Sequence, residues 1–170
     1  MDIRKELLAE HSRAQALRIS AWIGADATRF AKLMKLFLED EYRVVQRSAL
    51  VVSYVADSHP ELMTPHLTAM VDRMNTPGLP VAVKRNVLRV LEQLSIPEEL
   101  HGPVMNASFA FLEDPQQTIA VKAFAMTVLA NLSKTYPEIK NEIKLILDDL
   151  LEHEPAPAIR SRAKKVLAAL

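Results

Sequence analysis

The sequence predicts an all-α chain of about five helical hairpins, and three observations carry that prediction. The first is an aliphatic stripe that returns every 38 positions. Its copies are Val45, Ala49, Val52 and Ala56; Val83, Val87, Val90 and Leu94; Val121, Ala125, Val128 and Leu132; and Ile159, Ala163, Val166 and Leu170. Spacings of four, three and four put each set on one face of a helix. A fixed period in the range of roughly 20–50 residues marks a helical solenoid. The second is composition: 49% apolar, only 5% aromatic, and three glycines in 170 residues. That mixture makes an aliphatic core with few special turns, as helices require because glycine weakens their interiors. The third is punctuation. Ser58-His59-Pro60-Glu61, Ser95-Ile96-Pro97-Glu98 and Thr135-Tyr136-Pro137-Glu138 are three copies of Ser/Thr-x-Pro-Glu. Ser or Thr with Glu three residues on reads as a capping box at a helix start.

The hairpins follow in order. Residues 2–24 form the first, with Ser12 and Gln15 as a weaker box inside it and Gly24 at its end. Asp26 caps the second, 26–57, which breaks at Glu39-Asp40-Glu41. The third, 60–95, breaks at Asn75-Thr76-Pro77-Gly78, and the fourth, 97–135, at Glu113-Asp114-Pro115. The fifth, 137–170, breaks at Glu154-Pro155-Ala156-Pro157. No glycine- or serine-rich linker intervenes, so residues 1–170 read as a single domain.

Composition also bounds the function. Lysine plus arginine equals aspartate plus glutamate, 21 each, so total charge names no partner. Cysteine is absent, which removes disulfides and thiolate metal sites. The start, Met1-Asp2-Ile3-Arg4-Lys5-Glu6, lacks the apolar core of a signal peptide, and no apolar stretch approaches a membrane span. A cytoplasmic location is expected. The seven methionines read as fillers of an aliphatic core.

The turn and second helix of each hairpin resemble the HEAT repeat pattern: an acid, five residues on a Val or Ile followed by a basic residue, then Ala. Glu154, Ile159, Arg160 and Ala163 fit throughout. Asp40, Val45 and Ala49 fit, with Gln46 in place of the basic residue. Val83-Lys84 and Val121-Lys122 keep the cation, while Gly78 and Gln116 replace the acid and Asp114 comes two residues early. The first hairpin matches loosely, through Ser12, Arg13 and Ala16. The resemblance implies a right-handed α-α superhelix with the second helix of each hairpin on the concave face. It implies little about activity, since such repeats serve many purposes.

Sorted by layer, charge is informative. The second helices and their flanks hold thirteen basic residues against Glu41, Asp57 and Glu92, an excess of +10 that the rest of the chain balances. A basic concave face focuses field on an acidic partner. Lys84, Lys122 and Arg160 share one repeat position, where pairing with acids of neighbouring turns is the competing expectation. Arg47, Arg85 and Lys164 face away from the stripe, and Arg18, Arg89 and Lys165 form a second candidate row. These nine residues are the expected partner-binding set.

Catalytic chemistry is not legible. The histidines at 11, 59, 66, 101 and 153 are scattered, no phosphate-binding, metalloprotease or nucleophile-elbow motif occurs, and the helical-lyase loop is missing. A HEAT-like DNA glycosylase would need stacking aromatics and an acid, for which Trp22 and Tyr54 with Asp57, Glu92 and Glu41 are the available groups. Trp22 reads as a cover over the end of the core. The expectation is a non-catalytic scaffold that takes an acidic protein segment, without cofactor, metal or small-molecule substrate. Nucleic-acid binding on the same basic face is the alternative, marked by a log–log salt slope near −0.9 per phosphate contact.

Overall fold

The computed structural model describes residues 1–170 and contains ten α-helices and no strand. They are α1 (Ile3–Ala9), α2 (Arg13–Ile23), α3 (Ala27–Glu39), α4 (Tyr42–Ser58), α5 (Leu67–Met74), α6 (Val81–Leu91), α7 (Glu98–Glu113), α8 (Ile119–Leu132), α9 (Lys140–His153) and α10 (Pro157–Ala169). Short 3-10 turns at Pro60–Leu62, Thr64–His66 and Pro137–Ile139 precede α5 and α9. The chain divides between Val90 and Leu91 into two compact units.

In the first unit, α4 is the central element: it packs against α1, α2 and α3. It is therefore buried beyond the predicted stripe, with Val44, Val51 and Val55 as inaccessible as Val45 and Ala49. Ser48 and Ser53 are tolerated inside because each hydroxyl donates to a carbonyl three residues back, Val45 and Leu50. Phe30, Leu33, Met34 and Phe37 supply the face of α3, and Met63, Met70 and Met74 fill the region of α5.

In the second unit, α8 packs against α7, α9 and α10, and α9 packs against α10. Val121, Ala125, Val128 and Leu132 are buried, as are Ile159, Ala163 and Val166. Leu94 and Leu170 depart from the stripe. Helix α6 has already ended at Leu91, so Leu94 lies in the turn beyond it, and both residues are only partly buried.

The helix starts correct the sequence reading. Ser12 accepts the Gln15 amide at 3.1 Å, and Asp26 accepts those of Thr28 and Arg29 at 2.9 and 3.0 Å. Gly24 ends α2 with φ of 52°, where a side chain would be strained. The three Ser/Thr-x-Pro-Glu copies do not form capping boxes. Proline pushes the residue before it out of the helical region, and His59 (φ −139°, ψ 64°) and Tyr136 (φ −119°, ψ 75°) are held there. The residue before the proline therefore stays outside the helix, while the proline itself can open a helical turn, as Pro60 and Pro137 open the 3-10 turns and Pro157 opens α10. Helix α7 starts at Glu98 and α9 at Lys140, while Pro65 delays α5 to Leu67.

Candidate interaction surface

The even-numbered helices concentrate positive charge. Within their bounds lie twelve lysines and arginines and one acid, Asp57. The odd-numbered helices are nearly balanced, with eight basic and ten acidic residues, and the connections hold ten acids and one lysine. The compensating negative charge therefore sits largely in the turns, where it also organises backbone. Asp114 accepts the Gln116 amide at 2.8 Å, Glu154 that of Ala156 at 3.1 Å, and Asp40 that of Glu41 at 2.7 Å.

In the first unit most of the expected cations are engaged. Arg18 pairs with Glu6 and bonds Gln15 at 3.0 Å. Gln15 in turn donates to Glu6 at 2.9 Å, and these bonds hold the Glu6 carboxyl below its ordinary range. Arg47 donates to the carbonyls of Leu7 and Leu8, at 2.7 and 3.2 Å. It thereby serves the C-terminal end of α1, which has no basic residue of its own in its last turn. Arg89 bonds Asp57 at 2.7 Å and stands 5.8 Å over the Tyr54 ring. Lys84 is half-buried and engaged. Arg85 alone of this unit's candidates is exposed without an internal partner.

In the second unit the cations of the expected partner-binding set divide by type. Arg160 donates to the Leu151 carbonyl near the end of α9. Lys122 is only 6% exposed and has neither hydrogen bond nor ion pair. The expected pairing of this repeat position with acids of the turns is thus not what the two residues do. Lys164 and Lys165 are exposed and unpartnered.

Lys165 borders a cavity of about 370 Å³ between α8 and α10. Its apolar floor is Ala130, Val166 and Ala169, and its polar rim includes Lys134, Lys165 and Arg162. Arg162, which sequence reasoning passed over, is the best-anchored cation of the group. Its Nη1 donates to Thr127 Oγ1 at 2.5 Å and to the Ala123 carbonyl at 3.4 Å, and lies 3.3 Å from Glu92. Asn131 donates to the Glu92 carbonyl at 3.0 Å, which fixes the turn carrying that acid. Lys134 makes one contact, 3.4 Å to Asn131. With Arg162 and Glu92 offsetting one another, the rim keeps the two lysine charges. Glu92 lies 70 residues from Arg162 in sequence, so no local spacing announced the pair.

The groups considered for base chemistry are likewise engaged. Asp57 is held by Arg89 and Glu92 by Arg162. Glu41 lies 3.4 Å from Arg4, and Trp22 is covered by the Arg29 guanidinium at 4.3 Å.

Paired helices and a 38-residue buried period define a helical repeat protein. The chain belongs to the HEAT repeat family: the family described as HEAT repeat domain matches residues 3–170. No curated protein and no solved structure matches the chain. No helix is long and apolar enough to cross a membrane.

Proposed function

We propose that this HEAT repeat protein is a non-catalytic interaction scaffold that binds an acidic segment of a protein partner through its even-numbered helices. The supporting observation is the cavity between α8 and α10, where Lys134 and Lys165 stand beside an apolar floor with no carboxylate of the protein bound to either. An acidic side chain next to a small apolar one satisfies both parts. Arg85 and Lys164 extend the available charge within their own units. The proposal takes residues 1–170 as one repeat domain and includes a cytoplasmic location, supported by the absence of cysteine.

The test is an anisotropy titration with a fluorescein-labelled oligoglutamate peptide. Charge reversal by Lys134→Glu with Lys165→Glu lowers affinity by about tenfold, each exposed pair contributing up to about 1 kcal/mol. Unchanged affinity overturns the assignment of this cavity. A duplex oligonucleotide that binds more tightly, with a salt slope near −0.9 per phosphate contact, would transfer the same surface to nucleic acid.

A further inference from the structure

Lys122 and Arg160 occupy one repeat position, 38 residues apart, in consecutive hairpins of the second unit. Arg160 reaches the Leu151 carbonyl near the end of α9. One period earlier the corresponding carbonyl belongs to Glu113, the last residue of α7, and Lys122 makes no hydrogen bond to it. A guanidinium offers five donors on a planar fork, whereas an ammonium is a compact point charge on a flexible stem. The stem of Lys122 is packed away, with the whole residue only 6% exposed, while its ammonium is not sealed from solvent and has no partner in the chain, which leaves it available to an acceptor that enters.

The lysine lines a cleft of about 420 Å³ whose apolar wall includes Leu112, Leu145, Ile146 and Leu150, with Glu113 and Asp149 also on it. Leu145 is 73% exposed, more than any other large apolar side chain. The two carboxylates oppose an anion and the ammonium favours one; both carboxylates belong to exposed residues, whereas the lysine stem is packed and fixes its ammonium in the cleft. Asp149 is 72% exposed and lies 3.1 Å from His153, so water screens it. A charge in surroundings of effective dielectric about 20 acts roughly fourfold more strongly than the same charge in water.

We propose that this cleft, formed by α7, α8 and α9, binds an aliphatic carboxylate. The carboxylate accepts hydrogen bonds from Lys122 Nζ, and a branched hydrocarbon body covers Leu145 and Ile146. The chain terminus of a polypeptide ending in leucine and a free branched-chain acid share this chemistry. The cleft has no residue in common with the cavity between α8 and α10, so the two sites stand or fall separately.

The experiment is an amide NMR titration of the whole chain with N-acetyl-leucine, N-acetyl-leucinamide and isocaproate. Saturable shifts in the first turn of α8 and in the middle of α9 are expected for the acids, with the amide weaker by about fivefold or more. Tighter binding of N-acetyl-leucine identifies the chain terminus as the natural form of the ligand, and tighter binding of isocaproate the free acid. Lys122→Met abolishes the shifts. Lys122→Arg also abolishes them, because its guanidinium reaches the Glu113 carbonyl as Arg160 reaches that of Leu151, and it melts no lower than the wild type. Glu113→Gln tightens binding about twofold by removing a rim charge. Equal binding of acid and amide, or full binding by Lys122→Arg, overturns the proposal.

Discussion

Hairpins α7–α8 and α9–α10 share one 38-residue template, yet they use their common cation in opposite ways. In α9–α10 the cation is arginine and it serves a helix end. In α7–α8 it is lysine, buried and unpartnered beside an apolar cleft. The difference teaches that a repeat position conveys a site and a direction, while the side chain placed there decides whether the charge is spent on the fold. Elsewhere the division is a tendency with exceptions. Arg18, Arg47, Arg89 and Arg162 bond carbonyls or carboxylates and Lys164 and Lys165 are free, but Arg85 is exposed without a partner and Lys84 is engaged.

The largest expected effect tests whether the two hairpins share a core. Ala125 and Ala163 are both fully buried, so Ala125→Asp and Ala163→Asp should each cost several kcal/mol, as an unpaired buried charge does. Similar losses in melting temperature support the shared stripe, and a silent substitution at either position removes it from the core. The next effect separates the hairpins. Arg160→Met leaves the Leu151 carbonyl without its donor and should cost about 1–3 kcal/mol. Lys122→Met removes no bond, and a melting temperature at or above the wild-type value is expected.

These contrasts mark how far the sequence could be read. The period and the stripe placed α4, α6, α8 and α10, because burial at positions such as Val45, Val83, Val121 and Ile159 depends only on spacing along a helix, and the breaks between helices placed the rest. Helical segments do begin at Pro60, Glu98 and Pro137, but their caps were misread: a capping box needs the residue after Ser or Thr to be helical, and the proline that follows holds that residue out of the helical region. The basic surplus was legible as composition. Its fate was not, since Arg47 meets Leu7 across 40 residues and Arg162 meets Glu92 across 70. Contacts at that range depend on which helices become neighbours.

A smaller effect concerns the first unit, where acids are held by design of the turn. Arg4 bonds Asp40 through Nε at 2.9 Å and Nη2 at 3.1 Å, and chiefly through these bonds keeps its carboxyl below the usual aspartate value. A depressed folded-state pKa gives stability that is complete above the unfolded value near 4 and fades as pH falls through the folded one. Asp40→Asn should therefore melt below the wild type at neutral pH, with the difference closing as acid protonates the folded-state carboxyl. A gap that persists in acid would assign the effect to something other than the charge. Smallest of all, Lys164→Glu and Lys165→Glu should change stability by no more than about 0.5 kcal/mol, because neither side chain holds anything in place. A large loss at either would show that the lysines, like the arginines, are structural.

Thermal unfolding of Arg160→Met and Lys122→Met, each with and without saturating N-acetyl-leucine, addresses the division between structural and available cations in one measurement. A ligand that binds only the folded chain raises its melting temperature, by an amount that grows with the logarithm of ligand concentration over Kd once the ligand is in excess. The account predicts that Arg160→Met melts lower than the wild type but is still raised by the ligand, while Lys122→Met melts normally and is not raised. Equal destabilisation of both variants, or an undiminished ligand shift in Lys122→Met, would contradict it.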